Sequence, residues 1–389
     1  MAPRIFFSSW GRIGLIENGV ERYLDPAVLG QVRWQVEEAF PGGRRWVLWS
    51  QEKPENPDAD FGAIGSLAFA KTHLWLLNQE DGEVVEIKVP NFSRLSGIFR
   101  GGDRILTYCN DEGRMTLTES NPDGSDPEVV QTRRGYGYCV KISSDGVHAA
   151  YQITGVEGHN PYEIYVVNLR TGEEVRLASH PDYINFGPEW SPDGEWVLYQ
   201  RCEYKADPGH ERSDLRISRV DASEHRMLTS GQSHWFATSY GTPETRGGGS
   251  NIPKWSPDGK AITFTRFIPG SRTAWRYRVG QPDRDHFNRD YRPGEARGGT
   301  EICLISPSTG DVTPTKQHDP PVWNWRTEWS EDSRHLLFSR AAVGFPSEVW
   351  VIDLGGAEEH FLTRGYESLG ADFARFVLQR SLGGRHRSL

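Results

Sequence analysis

Short apolar runs alternate with polar turns along almost the whole chain, and no run shows the longer period of an amphipathic helix. The runs Trp46-Val47-Leu48-Trp49, Ile105-Leu106-Thr107-Tyr108, His148-Ala149-Ala150-Tyr151, Trp196-Val197-Leu198-Tyr199, Ile262-Thr263-Phe264-Thr265 and Leu336-Leu337-Phe338-Ser339 are rich in the residues that suit pleated strands. Each follows a tight turn of one recurring type. Pro188-Glu189-Trp190-Ser191-Pro192-Asp193-Gly194 is matched by Pro253-Lys254-Trp255-Ser256-Pro257-Asp258-Gly259, by Thr327-Glu328-Trp329-Ser330-Glu331-Asp332-Ser333 and by Val140-Lys141-Ile142-Ser143-Ser144-Asp145-Gly146. Weaker copies end at Phe40-Pro41-Gly42-Gly43 and Phe99-Arg100-Gly101-Gly102. An apolar strand entering such a turn predicts a short hairpin.

A third strand follows each hairpin after a variable loop, as from Glu163 to Leu169, Glu301 to Ser306 and Glu348 to Leu354. A short turn then leads to a fourth, such as Val175 to Leu177 or His360 to Thr363. Four antiparallel strands per repeat make one propeller blade. Complete units start near residues 33, 93, 136, 185, 250 and 324. The N-terminus offers three further strands, Arg4 to Ser9, Arg12 to Glu17 and Val20 to Leu24, within residues 1–25, and one is left over within 368–380. Joining these completes a seventh blade and removes the open edges that invite aggregation. The expectation is an all-β, seven-bladed propeller forming one domain over residues 1–389.

At 389 residues the chain exceeds the usual size of one domain, but repeats that pack only on their neighbours escape that limit. A net charge of −9 repels phosphate backbones, so nucleic acid is not an expected partner. No apolar run approaches a membrane span, and Ile5-Phe6-Phe7 is too short for the core of a secretion signal. A cytoplasmic chain without membrane contact is expected. Cys109, Cys139, Cys202 and Cys303 are far apart, lack zinc spacing and sit in strand-like runs, as buried free thiols of a reducing compartment do.

Loop lengths separate two faces. Turns between first and second, and third and fourth, strands are minimal. The long insertions all fall on the other face: 52–71, 155–162, 203–213, 231–249, 267–299 and 341–347. Binding residues concentrate on long loops over a rigid scaffold. The first strands begin at that face with Arg33, Trp34 and Gln35; Arg94; Tyr136 and Tyr138; Asn185 and Phe186; Ser250 and Asn251; and Asn324, Trp325 and Arg326. Aromatic faces, amides and guanidinium groups suit a small anionic oligosaccharide; the same residues also serve to plug a channel. His234, Trp235, Phe236, Tyr240 and Arg246 precede glycines in one insertion and read either as a lid or as loop residues packed down. Seven arginines and four acids in 267–299 either collect an anion or pair internally.

The repeated turn resembles the TolB-type, WD-like propeller repeat of periplasmic Tol proteins, prolyl-oligopeptidase propellers and oligogalacturonate lyases. The sequence shows no Gly-x-Ser-x-Gly elbow and no hydrolase domain after the repeats, which sets the peptidase reading aside. The lyase family holds a divalent metal with histidines at first-strand starts. The matching places read Asn251-Ile252 and Asn324-Trp325-Arg326 here, so the usual metal ligands are absent and no cofactor is expected. Asp214-Leu215-Arg216 sits where that family has a catalytic arginine.

β-Elimination from a uronate needs a cation to neutralise the carboxylate, a base for the neighbouring proton and an acid for the leaving oxygen. Arg33, Arg216 and Arg326 are candidates for the first role, and His234, His180 and Tyr138 for the others. Trp34, Asn185, Tyr240, Arg246, Asn251 and Trp325 are candidate substrate contacts. Two further readings stay open. A glycoside hydrolase needs two facing carboxylates, with Asp182, Glu244 and Glu37 available. A non-enzymatic interaction propeller needs only the elaborated face.

Overall fold

The recurring motif builds its turn by side-chain bonding. Asp193 accepts the Ser191 hydroxyl and the Glu195 N–H, Ser191 Oγ accepts the Trp196 N–H, and the Gly194 N–H reaches the Ser191 carbonyl. Gly194 takes φ +72°, where a side chain is strained. The same bonds recur at Ser143, Ser256 and Ser330. Each turn therefore fixes the register of one hairpin.

The computed structural model describes residues 4–9, 12–24, 26–52, 71–154, 162–203, 211–243, 247–277, 289–316, 322–365 and 374–376. Among the described residues, most strands fall into seven antiparallel sets of four. Sheet I holds Gln31–Ala39, Arg45–Glu52, Thr72–Asn78 and Val84–Ile87. Sheet II holds Arg94–Ile98, Ile105–Asp111, Arg114–Ser120 and Glu128–Arg134. Sheet III holds Tyr136–Ile142, His148–Thr154, Glu163–Asn168 and Glu174–Ala178. Sheet IV holds Tyr183–Trp190, Trp196–Glu203, Arg212–Arg219 and His225–Met227. Sheet V holds Lys254–Trp255, Ile262–Phe267, Thr300–Ile305 and Val312–Pro314. Sheet VI holds Val322–Trp329, His335–Ala342, Ser347–Asp353 and Glu358–Gly365. In the terminal sheet, Ala374–Phe376 pairs with Ile5–Ser9, followed by Arg12–Glu17 and Val20–Tyr23. No helix is long and apolar enough to cross a membrane among the described residues.

Apolar clusters glue each sheet to the next. Ala150, Val166 and Tyr199 join sheets III and IV; Leu198, Leu215 and Phe264 join IV and V. Phe6, Leu15 and Trp34 join the terminal sheet to sheet I, while Ile5, Phe7 and Leu337 join it to sheet VI. Burying one such side chain contributes about 2 kcal/mol.

The first strands of sheets I, II, III, IV and VI each carry a bulge. Pairing slips between Val36 and Glu38, Leu95 and Gly97, Tyr138 and Lys141, Phe186 and Glu189, and Trp325 and Glu328. Cys139, Gly187 and Arg326 sit there at φ +51°, +60° and +50°. A bulge bends the strand and re-aims the side chains beside it.

Sheets IV and V are joined by a splice the sequence did not announce. His234–Trp235 pairs with both Arg212–Arg219 and Ile262–Phe267. Trp235 and Tyr240 pack with Trp323 and Trp325 in one buried cluster. The described part of 231–249 is thus packed down into the core rather than poised as a lid.

Candidate functional site

Three second strands end in an equivalent arginine: Arg201, Arg266 and Arg340. Opposite each, the third strand supplies an acid: Asp214, Glu301 and Glu348. Arg266 bonds Glu301 through Nε and Nη2 at 2.9 and 2.7 Å. Arg340 reaches both oxygens of Glu359 at 3.0 Å. Among the described residues, Arg201 has no such partner. Its expected acid, Asp214, is turned away to accept Thr229 Oγ1 and Gln232 N at 3.1 Å and Gln232 Nε2 at 2.9 Å. Arg201 keeps only an Nε bond to Asn185 Oδ1, at 3.0 Å. Burial and the nearby Arg216 pull its pKa below the ordinary arginine value. A half-buried cation without a carboxylate is an anion site in waiting.

The surroundings of Arg201 gather several expected residues at the seam between sheets III and IV on the loop-rich side. Its guanidinium lies 5.7 Å from the Tyr183 ring, and His180 meets that ring edge-on at 4.7 Å. His180 Nδ1 accepts the Asp182 N–H at 3.1 Å, so Nε2 carries the proton. The Asn185 N–H and Nδ2 both bond the Tyr162 carbonyl, and the Tyr162 ring meets Tyr138 edge-on at 6.1 Å. Tyr138 and Tyr136 are both partly exposed, at 40% and 44%. Burial, then Tyr136, raises the Tyr138 pKa, so the phenol stays protonated and serves as an acid rather than a base. Arg94 is held by Glu37 at 2.9 Å, which removes Glu37 from the pool of unpaired carboxylates.

Other expectations need correction. His234 is fully enclosed: Nε2 faces the Asn251 carbonyl at 2.8 Å and Nδ1 the backbone of Thr265. Burial lowers its pKa to about 4, so it is a neutral structural link and not a proton carrier for substrate. Trp34 and Trp325 are core residues, packed against Trp75 at 5.7 Å and Tyr240 at 4.2 Å. Asn185 is buried as the bracket between Arg201 and Tyr162, so it orients Arg201 from behind. Arg216 lies farther out on the third strand, its Nη2 3.7 Å from Met227 Sδ, and adds positive charge rather than a direct grip. Arg326 donates Nη1 to Tyr240 Oη at 3.2 Å, and its backbone N–H to Asn251 Oδ1 at 2.8 Å. The side chain of Arg33, all of Arg246, and Glu244 lie outside the described residues. In the arginine-rich insertion, Arg272, Arg276 and Arg292 converge on Glu295 and Arg289 pairs with Glu211, the internal-pairing reading.

The two asparagines at the family's metal positions do not fit a divalent cation. Asn251 Nδ2 donates to the Trp235 carbonyl while Oδ1 takes the Arg326 N–H. Asn324 Nδ2 donates to the Thr300 carbonyl while Oδ1 takes Arg340 Nε. Both amides are spent on holding neighbouring sheets together.

No protein-family model matches the sequence. An uncharacterized peptidase of Bacillus subtilis, YuxL, is 23% identical over 217 residues, which take in 51% of this chain but 28% of that protein. The match thus spans well under half of the curated relative. A solved oligogalacturonate lyase in complex with manganese is 12% identical at a TM-score of 0.56, covering 93% of this chain and 85% of the other. A prolyl endopeptidase is 11% identical at 0.58, covering 93% of this chain and 50% of the other. A putative TolB from Agrobacterium tumefaciens is 18% identical at a TM-score of 0.45, covering 81% of this chain and 88% of the other. At these identities the likeness is one of fold: a propeller like those of the oligogalacturonate lyase and the prolyl endopeptidase.

Proposed function

We propose that this TolB-type propeller is a carbon–oxygen lyase that acts by β-elimination on a uronate of an anionic oligosaccharide, at the seam between sheets III and IV. The seven sheets are the blades of one ring, closed by the N- and C-terminal strands. The observation that carries the activity is Arg201: of three equivalent arginines, it alone is left uncompensated among the described residues, because Gln232 and Thr229 occupy its acid.

Arg201 grips the uronate carboxylate with its free Nη edge, and Arg216 adds to the local positive potential. Neutralising the carboxylate acidifies the C–H beside it. His180 takes that proton on Nδ1, exchanging it for the hydrogen bond from the Asp182 N–H, and ends as an imidazolium. The C–H electron pair becomes the new C=C bond, the β C–O bond breaks, and Tyr138 protonates the departing oxygen. No metal takes part in these steps.

The test is the ultraviolet absorbance of the unsaturated product. Purified chain is mixed with oligogalacturonates, glucuronate-containing oligosaccharides and neutral controls, with and without chelator. A signal on a uronate that survives chelation and falls in Arg201→Met and Tyr138→Phe is the expected result. A flat trace on every uronate rejects the lyase. Saturable uronate binding without product then marks a binding propeller, a reading favoured by the sealing of His234 within the core.

A further inference from the structure

The channel has a second mouth, on the side of the Ser-Pro-Asp-Gly turns. A cavity of about 860 Å³ opens there, lined by first-strand ends of sheets I to VI. That volume suits a small ligand. Two positions before the serine of each turn, or its equivalent, stand Glu38, Lys141, Glu189, Lys254 and Glu328, all on the cavity wall. In chain order their signs alternate, and in sheet II Gly97 stands at this place.

Part of this ring is self-neutralising, since Lys254 Nζ bonds Glu189 Oε1 at 2.5 Å. Lys141 on sheet III and Glu328 on sheet VI are different: among the described residues neither has an ionic or hydrogen-bond partner for its side chain. The two sheets lie three places apart, so the unmatched charges stand across the channel from one another. Between them Trp190, Trp255 and Trp329 line the wall. The Trp190 and Trp329 N–H groups are spent on the carbonyls of Lys141 and Lys254, at 2.8 and 3.2 Å. These indoles therefore offer a ligand hydrocarbon rather than polar surface.

We propose that this turn-side mouth binds a short zwitterionic peptide, its terminal carboxylate on Lys141 and its terminal ammonium near Glu328. A polyanion would meet Glu38, Glu189, Glu328 and Glu331 on the same wall, and a polycation would meet Lys141, Lys254 and Arg100. One molecule with opposite charges at its two ends satisfies both unmatched groups and lays its apolar middle on the indoles. The site is distinct from the uronate site and stands whether or not that reading holds.

Calorimetry with trialanine, its N-acetyl form and its C-terminal amide tests the assignment. Unmodified trialanine binds saturably, and blocking either end weakens binding at least about tenfold, the worth of one charged hydrogen bond. Lys141→Met makes the amide and the free acid bind alike. Glu328→Gln makes the acetylated and free amines alike. Arg201→Met leaves trialanine binding unchanged. Absence of saturable binding at millimolar trialanine overturns the proposal, as does equal binding of the blocked forms. Loss of trialanine binding in Arg201→Met overturns it too, by placing the peptide on the loop-rich side.

Discussion

Replacing Arg201 and Arg340 by methionine, separately, should split stability from function. Arg340 and Glu359 are nearly enclosed, with side-chain exposures of 11% and 7%. Removing Arg340 leaves a buried carboxylate with Lys316 among its other partners, at 3.8 Å. A broken buried pair costs about 3 kcal/mol. Among the described residues, Arg201 has no carboxylate to strand. Its loss orphans the buried Asn185 Oδ1, worth about 1 kcal/mol, and relieves a cation that burial already disfavours. Arg340→Met should therefore unfold at clearly lower urea, followed by tryptophan fluorescence, and Arg201→Met close to the parent. Uronate affinity should show the opposite order. Losing the grip on a carboxylate costs about 1.5–3 kcal/mol, or roughly ten- to a hundredfold in Kd by calorimetry. Neutral sugars should bind both variants as they bind the parent. If Arg201→Met unfolds as readily as Arg340→Met and still holds uronate, Arg201 is a structural residue and the reasoning fails.

Three further outcomes follow from described geometry. His234, neutral in the fold with a pKa of about 4, protonates more readily when unfolded; its contribution is complete above the unfolded value of 6.5 and is lost as pH falls from there towards 4. The loss is about 3 kcal/mol, and urea titrations at several pH values should show it shrink in His234→Gln. Burial pushes the Cys139 and Cys303 thiols up to about 11 and about 12, so iodoacetamide should label both far more slowly in the native chain than in urea, read by mass spectrometry. Gly14→Ala would set a Cβ 2.1 Å from the Phe7 ring in the terminal sheet, and should cost about 2 kcal/mol of stability by urea titration; an unchanged midpoint would deny that sheet its part in holding the fold together.

The strands were legible because their signals are local. A Ser-Pro-Asp-Gly turn carries its own hydrogen bonds, and the run after it has one face to bury, so Trp196–Glu203 follows almost directly from the letters. The splice at His234–Trp235 was not legible. Its two residues are recruited by edges from different sheets, and no period in sequence records that. The same gap separates the candidate site from its residues. His234, Trp34 and Trp325 carry side chains that suit a sugar pocket, yet their bulk filled the core instead. Arg201 was overlooked because it looks like Arg266 and Arg340. Only the turning of Asp214 towards Gln232 sets it apart, and that is a matter of side-chain direction. Aligning the second strands would have shown the three arginines, though not which one is uncompensated.

The slip in five of the first strands has a consequence of its own. Side chains of a regular strand alternate strictly, so a change of face at one end would be transmitted to the other. One extra residue resets that parity midway. The half of the strand that meets the long loops and the half that runs into the serine turn are thus read in separate phases. Substitutions can accumulate in one half without turning the other inside out. The two ends of each such strand are in this way left to specialise as though they belonged to different proteins.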